Sequence, residues 1–297
     1  MPKEVEHDTV PVYPSWCLGV YALDHSSNNL PDIAMDADTG NMSVINVSTV
    51  AKTYFITVTG CETIFLSNGM IAESGLSRGI RNDYVTFIVL VHPRQRVDVC
   101  RLCPKVKPGK TMRSSLRSVR ISSDIQDFVP ASNSTGVVNI DVFPLLANNG
   151  DIYVCTQSSG GHLTHFAHTS TYHAVDFRCP VGTPVVAPFD CVVSDIRNDS
   201  NNSGVRVEDL FSWNSMMVKS SEHEQVYCEF VHLRKDSMRF KVGDTVKKGD
   251  ILCESGDVGF CPEPHLHFEM HASSDPGADS IAIHFNNEPF LVGRLYP

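Results

Sequence analysis

No stretch of the 297-residue chain is apolar enough to cross a bilayer. Its longest strongly apolar run, Tyr84 to Val91, falls far short of the about 20 residues that a spanning helix needs. The first residues, Met1 to His7, hold no apolar segment of the kind an export signal carries, so no signal peptide is expected. Cytoplasmic location is the default that follows, with export by an unrecognised route as the alternative. No helical period persists over a dozen residues, and there is neither an internal repeat nor a low-complexity tract. Charge is sparse at 20% of residues against 42% hydrophobic ones. That balance suits a folded chain and argues against disorder. The length allows one large domain or two ordinary ones.

Positive charge is scarce in the second half. Residues 138–297 carry 11 Lys+Arg against 21 Asp+Glu, while residues 1–137 are balanced at 13 of each. The acidic half is a poor electrostatic partner for nucleic acid or anionic lipid. Ten of the 13 histidines also lie beyond residue 160. A histidine-rich acidic region points to metal or acid–base chemistry. The ten cysteines are even in number, but without an export signal they are expected to be reduced and mostly buried.

What is present is β-pattern. Strands are expected at Tyr54–Thr59, Thr63–Ser67, Tyr84–Val91 and Val137–Phe143, where Val, Ile, Thr and aromatic residues are bounded by Gly, Asn, Asp and Ser. A polar stretch, Ser132–Gly136, marks a boundary between residues 1–137 and residues 138–297. Beyond it strands are expected at Pro184–Ile196, Val205–Leu210, Met216–Ser220, Val226–Leu233, His265–Ala272 and Ile281–Phe285. The fold class is therefore all-β: a mostly antiparallel second domain preceded by a β-rich, sandwich-like accessory domain. The basic stretch from Arg94 to Arg120 reads as a solvated loop and strand edge rather than an anionic-polymer contact. Within it, Cys100 and Cys103 form a lone Cys-x-x-Cys, and two thiolates do not complete a tetrahedral metal site.

Chemistry-bearing residues gather in the second half. On a strand, residues i and i+2 share a face, so His265 and His267 emerge side by side while Leu266 and Phe268 enter the opposite face. Asp176 lies between Val175 and Phe177 and so faces away from their packed side. A carboxylate buried there is costly unless paired or metal-bound. Two histidines, an aspartate and an open fourth position make a reasonable catalytic zinc set. The upstream histidines 162, 165, 168 and 173 and the isolated His232-Leu233 complete the inventory. Taken singly, His162, His223, His271 and His284 read as surface or hydrogen-bonded core residues.

Five segments, in order and with matching spacing, carry a resemblance. They are Gly161-His162-Leu163-Thr164-His165; Asp176 followed by Gly182-Thr183-Pro184-Val185; His232-Leu233; the loop from Val242 to Gly249; and Pro264-His265-Leu266-His267-Phe268-Glu269. Over about residues 155–290 the chain resembles the lysostaphin-type zinc endopeptidases, which cut peptide bonds in bacterial cell-wall peptidoglycan. The resemblance implies one Zn2+ per chain, with Asp176 and His267 as ligands and His232 and His265 as the non-ligand histidines of the catalytic centre. Many members place the first metal histidine four residues before the aspartate, where this chain has Tyr172. A subgroup places it further upstream in a Gly-x-Phe-Ser-His segment, which His165 fits, with His168 and His173 as alternatives. Asp190-Cys191 departs from the glycine usual at that turn. The resemblance further implies a peptidoglycan or peptide substrate. The rival expectations are a zinc-binding recognition module without catalysis and a peptidase acting on ordinary proteins or peptides.

Overall fold

The computed structural model describes residues 32–297 except 62, 68–71, 74, 75, 78, 79, 82, 83, 105, 129–135, 148, 149 and 162. Most of the expected boundary stretch and His162 lie outside the described residues. The chain divides into two compact units, residues 1–73 with 83–128 and residues 74–82 with 129–297. The regular elements of both are almost all strands, so the all-β expectation is borne out.

The first unit holds two four-stranded antiparallel sheets. One has the order Ile33–Met35, Asn41–Ile45, Arg96–Cys103, Thr63–Leu66; the other Arg120–Asp127, Lys52–Thr59, Tyr84–Val91, Ala72–Glu73. Met42, Val44, Val99 and Leu102 from the first sheet and Tyr54, Ile56, Phe87 and Val89 from the second form one apolar core. The basic stretch differs from its expected form. Arg96–Cys103 is an interior strand, because Val99, Cys100 and Leu102 bury themselves while Arg96 pairs with Asp98 at 3.5 Å and donates to Ser43 Oγ. Met112–Leu116 is a five-residue helix capped by Thr111, whose hydroxyl accepts from Ser114 N. Burial pushes the Cys100 thiol up to about 12, so it stays neutral.

The second unit is built on an eight-stranded antiparallel sheet. Its order is Thr245–Val246, Cys191–Arg197, Ser215–Ser220, Tyr227–Val231, His265–His271, Val175–Arg178, Tyr153–Gln157, Leu295–Tyr296. Period-2 alternation sends Phe177, Val193, Met216, Val218, Phe230, Leu266, Phe268 and Met270 to one face, all of them buried. Pro184–Val186 pairs with Ile251–Glu254, and Val137–Ile140 runs parallel to Ala282–Phe285. Phe143, Tyr153, Phe177, Phe290 and Tyr296 stack or meet edge to face at one end of this core. Cys155, Cys179, Cys191, Cys228, Cys253 and Cys261 are buried free thiols in this unit.

Two expected strands take another form. Pro184–Ile196 is broken into Pro184–Val186 and Cys191–Arg197, because Pro188 lacks the N–H that an uninterrupted ladder needs. Val207–Asp209, inside the expected strand Val205–Leu210, is a 3-10 turn. There the Asp209 carboxylate accepts from Arg206 N at 3.0 Å, an alternative to ladder pairing that the apolar pattern does not reveal.

Phe230 is fully buried and its ring lies 5.4 Å from that of Phe268, in the middle of the sheet. Phe230→Ala is expected to lower unfolding free energy by about 3–5 kcal/mol, measured by urea denaturation. A loss below about 1 kcal/mol would contradict the packing described here.

Candidate metal centre

The site grows from strand register. All seven residues of the His265–His271 strand are buried. Leu266, Phe268 and Met270 face the apolar core, so His265, His267, Glu269 and His271 share the other face. Antiparallel pairing sets Asp176 opposite His267 on one side and Glu229 opposite Glu269 on the other. His232 directly follows the Tyr227–Val231 strand and turns out of it with φ 62°. His165 arrives from outside the sheet, on the 3-10 turn His165–Ala167.

Three donors converge. His165 Nε2 lies 3.2 Å and His267 Nδ1 2.9 Å from Asp176 Oδ1. The ligand atoms of this trio all lie within 4.8 Å of one another, and all three residues are buried. His265 Nε2 stands 3.7 Å from Asp176 Oδ2, and the His232 ring lies 4.5 Å from that of His265 and 6.0 Å from that of His267. The structure thus brings together His165, Asp176, His232, His265 and His267. His168 instead hydrogen-bonds Ser170 through Nδ1 at 2.7 Å, and His173 shares a contact of 3.2 Å with Ser159 Oγ. Neither joins a group of three or more potential ligands among the described residues.

Hydrogen bonds fix which ring nitrogen faces the site. A carbonyl oxygen only accepts, so an imidazole nitrogen beside one carries the proton. His165 Nδ1 donates to Ser158 O at 3.2 Å, His232 Nδ1 to Val258 O at 2.7 Å and His265 Nδ1 to Glu263 O at 2.7 Å. In their neutral forms each keeps a lone pair on Nε2. His165 Nε2 is buried and makes no hydrogen bond. A fully buried nitrogen lone pair without a donor is costly, and a cation would satisfy it. His267 has the opposite orientation, with Nδ1 towards Asp176 and Nε2 3.2 Å from Glu269 Oε2.

Charge alternates along the buried face. Burial opposes the Asp176 carboxylate, yet His165, His265 and His267 together hold it well below the usual carboxylate range. Burial also opposes an imidazolium at His267, but Glu269 and Asp176 outweigh it and lift that ring to about 10. Glu269 is carried down to about 2 by His267 and His271 against the cost of burial. Next, His271 Nε2 lies 3.3 Å from Glu269 Oε1 and 4.0 Å from Glu229 Oε2, and its Nδ1 donates to Ala278 O. Burial first, and the Glu269 charge second, raise Glu229 to about 7. His232 sits well below the ordinary histidine range, from burial and the neighbouring His265 and His267, and is neutral at pH 7.

Sequence reasoning missed Glu229 and Glu269. For Glu269 a signal existed, since the same period-2 logic that pairs His265 with His267 continues to Glu269 and His271. For Glu229 none did, because only the register of a neighbouring strand brings it there.

The comparisons with known proteins bear on this region. Residues 170–278 match Peptidase family M23, which bears out the resemblance read from the ordered segments. The chain is 36% identical over 130 residues to an "Uncharacterized metalloprotease" of Haemophilus influenzae, covering 41% of this chain and 25% of the relative. It is 33% identical over 103 residues to the "Glycyl-glycine endopeptidase ALE-1" of Staphylococcus capitis, covering 35% of this chain and 25% of the relative. The matched region thus spans about a quarter of the length of these relatives. Among solved structures, the catalytic domain of the antimicrobial peptidase lysostaphin from Staphylococcus simulans aligns with 44% of this chain and 87% of its own, at 23% identity and a TM-score of 0.32.

One glycine holds His232 in place. A Cβ on Gly256 would stand 2.6 Å from His232 O and 2.7 Å from Arg234 N, both backbone atoms. Gly256→Ala is expected to displace the 232–234 segment at a cost of about 1–3 kcal/mol in stability. Urea denaturation and the NMR shift of the His232 ring would check this, and an unmoved His232 signal would contradict it.

Proposed function

We propose that this chain, whose residues 170–278 match Peptidase family M23, is a zinc-dependent metalloendopeptidase acting on peptide bonds of bacterial peptidoglycan. The observation that carries the reading is the convergence of His165 Nε2, Asp176 Oδ1 and His267 Nδ1, with the His165 nitrogen buried and without a hydrogen bond. Two imidazoles and one carboxylate suit Zn2+, and a three-residue set leaves a fourth position open. These three residues would hold the metal, one per chain. Zinc bound there supplies a Lewis acid and lowers the pKa of water to about 7.

The chain's own groups supply the rest. His232 and His265 each anchor Nδ1–H on a backbone carbonyl and keep Nε2 free. A neutral His232 takes a proton at Nε2, and His265 beside it can take or give one at the same atom. A donor at that position also stabilises negative charge developing on a substrate oxygen. Glu269 Oε2 stands 3.2 Å from His267 Nε2, in the place from which outer carboxylates orient metal-binding histidines.

Two points support peptidoglycan as the substrate class. The five ordered segments resemble the lysostaphin-type wall endopeptidases, and one relative is named a glycyl-glycine endopeptidase. Both non-ligand histidines are present beside the trio, which favours an enzyme over a recognition module.

The test combines metal analysis with peptide release from purified peptidoglycan, with and without a chelator. His165→Ala is expected to lose zinc, whereas His168→Ala and His173→Ala keep about one per chain. His232→Ala is expected to keep zinc and to lose about 10²–10⁴-fold in peptide release. Zinc-loaded protein that binds walls of several types and releases nothing would favour the recognition module. Cleavage of unrelated peptides but of no wall would favour a general peptidase.

For the first unit we propose an accessory role. Each unit has its own apolar core. A fragment of residues 129–297 is therefore expected to unfold cooperatively on heating and to bind zinc. Lower wall affinity with unchanged cleavage of a short peptide would identify the first unit as a targeting element. A fragment that does not fold would refute independent domains.

A further inference from the structure

Gln157 ends the Tyr153–Gln157 strand beside Asp176, past a register shift in the pairing of the two strands. Its side-chain amide has two N–H donors and a carbonyl with two lone pairs. Nε2 donates to Asp176 Oδ2 at 2.6 Å and to Thr164 Oγ1 at 3.3 Å. Oε1 accepts from Leu163 N at 3.1 Å and from Thr164 N at 3.2 Å. All four capacities are used, and every partner either is Asp176 or lies within two residues of His165.

The pattern has consequences on both sides. On the carboxylate, the amide occupies Oδ2, while Oδ1 is the oxygen that meets His165 and His267. On the loop, Thr164 precedes the His165–Ala167 turn and provides no side-chain cap. Gln157 Oε1 takes up two backbone N–H groups there that would otherwise need water. Close approach is built in at Gly161, where a Cβ would stand 3.0 Å from Gln157 Oε1 and 3.1 Å from Gln157 Cβ. A side chain at 161 would push the loop off the glutamine.

We propose that Gln157 is a positioning residue for the metal centre: one amide that selects the ligating oxygen of Asp176 and ties the loop of His165 to it. The part concerning affinity rests on the zinc reading of the trio; the tie between loop and carboxylate does not. Of the three donors, His267 and Asp176 are set by neighbouring strands, so His165 is the one whose placement depends on a loop. Without the glutamine, the loop must be ordered when the ion binds, and affinity falls.

The experiment uses the full chain and zinc chloride as the probe, with affinity measured by competition against a chelator. Amide hydrogen exchange is read in parallel on the metal-free protein. Gln157→Met keeps a similar volume and removes all four hydrogen bonds. It is expected to weaken zinc binding about 10–100-fold, as loss of an outer partner does elsewhere. It should also speed exchange at Leu163 and Thr164 by about tenfold or more. Ser159→Ala, on the same loop but off the amide, should leave both readouts at wild-type values. Gln157→Glu keeps an acceptor for the two backbone N–H groups, so Leu163 and Thr164 should stay protected in it. The proposal is overturned if either readout in Gln157→Met equals that of the wild type, or if Gln157→Glu exchanges as fast as Gln157→Met. Wild-type protein that binds no zinc would sink the metal reading, while the exchange comparison would still decide the tie between loop and carboxylate.

Discussion

Everything at the site depends on one constraint, the burial of both faces of the His265–His271 strand. One face carries Leu266, Phe268 and Met270 into the core of the second unit. The other carries His265, His267, Glu269 and His271, which are buried too, although His265, His267 and Glu269 keep 5–8% of their surface exposed. A polar side chain sealed from water must find a partner or lose several kcal/mol. That requirement explains why Asp176, Glu229 and His165 are where they are. Acidic and imidazole groups alternate across this face, from Asp176 through His267, Glu269 and His271 to Glu229.

The same constraint separates the roles of the histidines. His165, His232 and His265 lean on backbone carbonyls through Nδ1 and leave Nε2 bare. His267 and His271 lie between carboxylates and are raised by them. One residue type therefore gives two populations, rings anchored on backbone carbonyls and rings set between carboxylates. The difference is one of partners, since burial by itself opposes charge at His232, His267 and His271 alike.

Strands set part of this geometry and loops the remainder. Asp176, His265 and His267 are fixed by register on adjacent strands, which tolerates little drift because a one-residue slip would turn every one of these side chains into the core. His165 and His232 lie on irregular backbone, one on a 3-10 turn and one at φ 62°. Irregular segments hold position only through specific contacts. For His232 these include the approach of Gly256; for His165 they run through Ser158 O and the Gln157 amide.

By itself the sequence determined the β class and the sidedness of His265-Leu266-His267 and of Val175-Asp176-Phe177, because period-2 alternation is a local property of a chain; the five candidate site residues it offered came from the resemblance of ordered segments. Its preference for His165, with His168 and His173 as alternatives, came from the resemblance of Gly161-His162-Leu163-Thr164-His165 to a family segment. The structure puts that histidine beside Asp176 and sends His168 and His173 to serine hydroxyls. Tertiary structure alone decided the rest. The interior position of Arg96–Cys103 was hidden by its charge, the turn at Val207–Asp209 by its apolar neighbours, and Glu229 and Gln157 because only strand pairing and the path of the loop bring them to their partners. Pairing between strands and hydrogen bonds from strand to loop join residues by register and approach in space, and no spacing along the sequence encodes either.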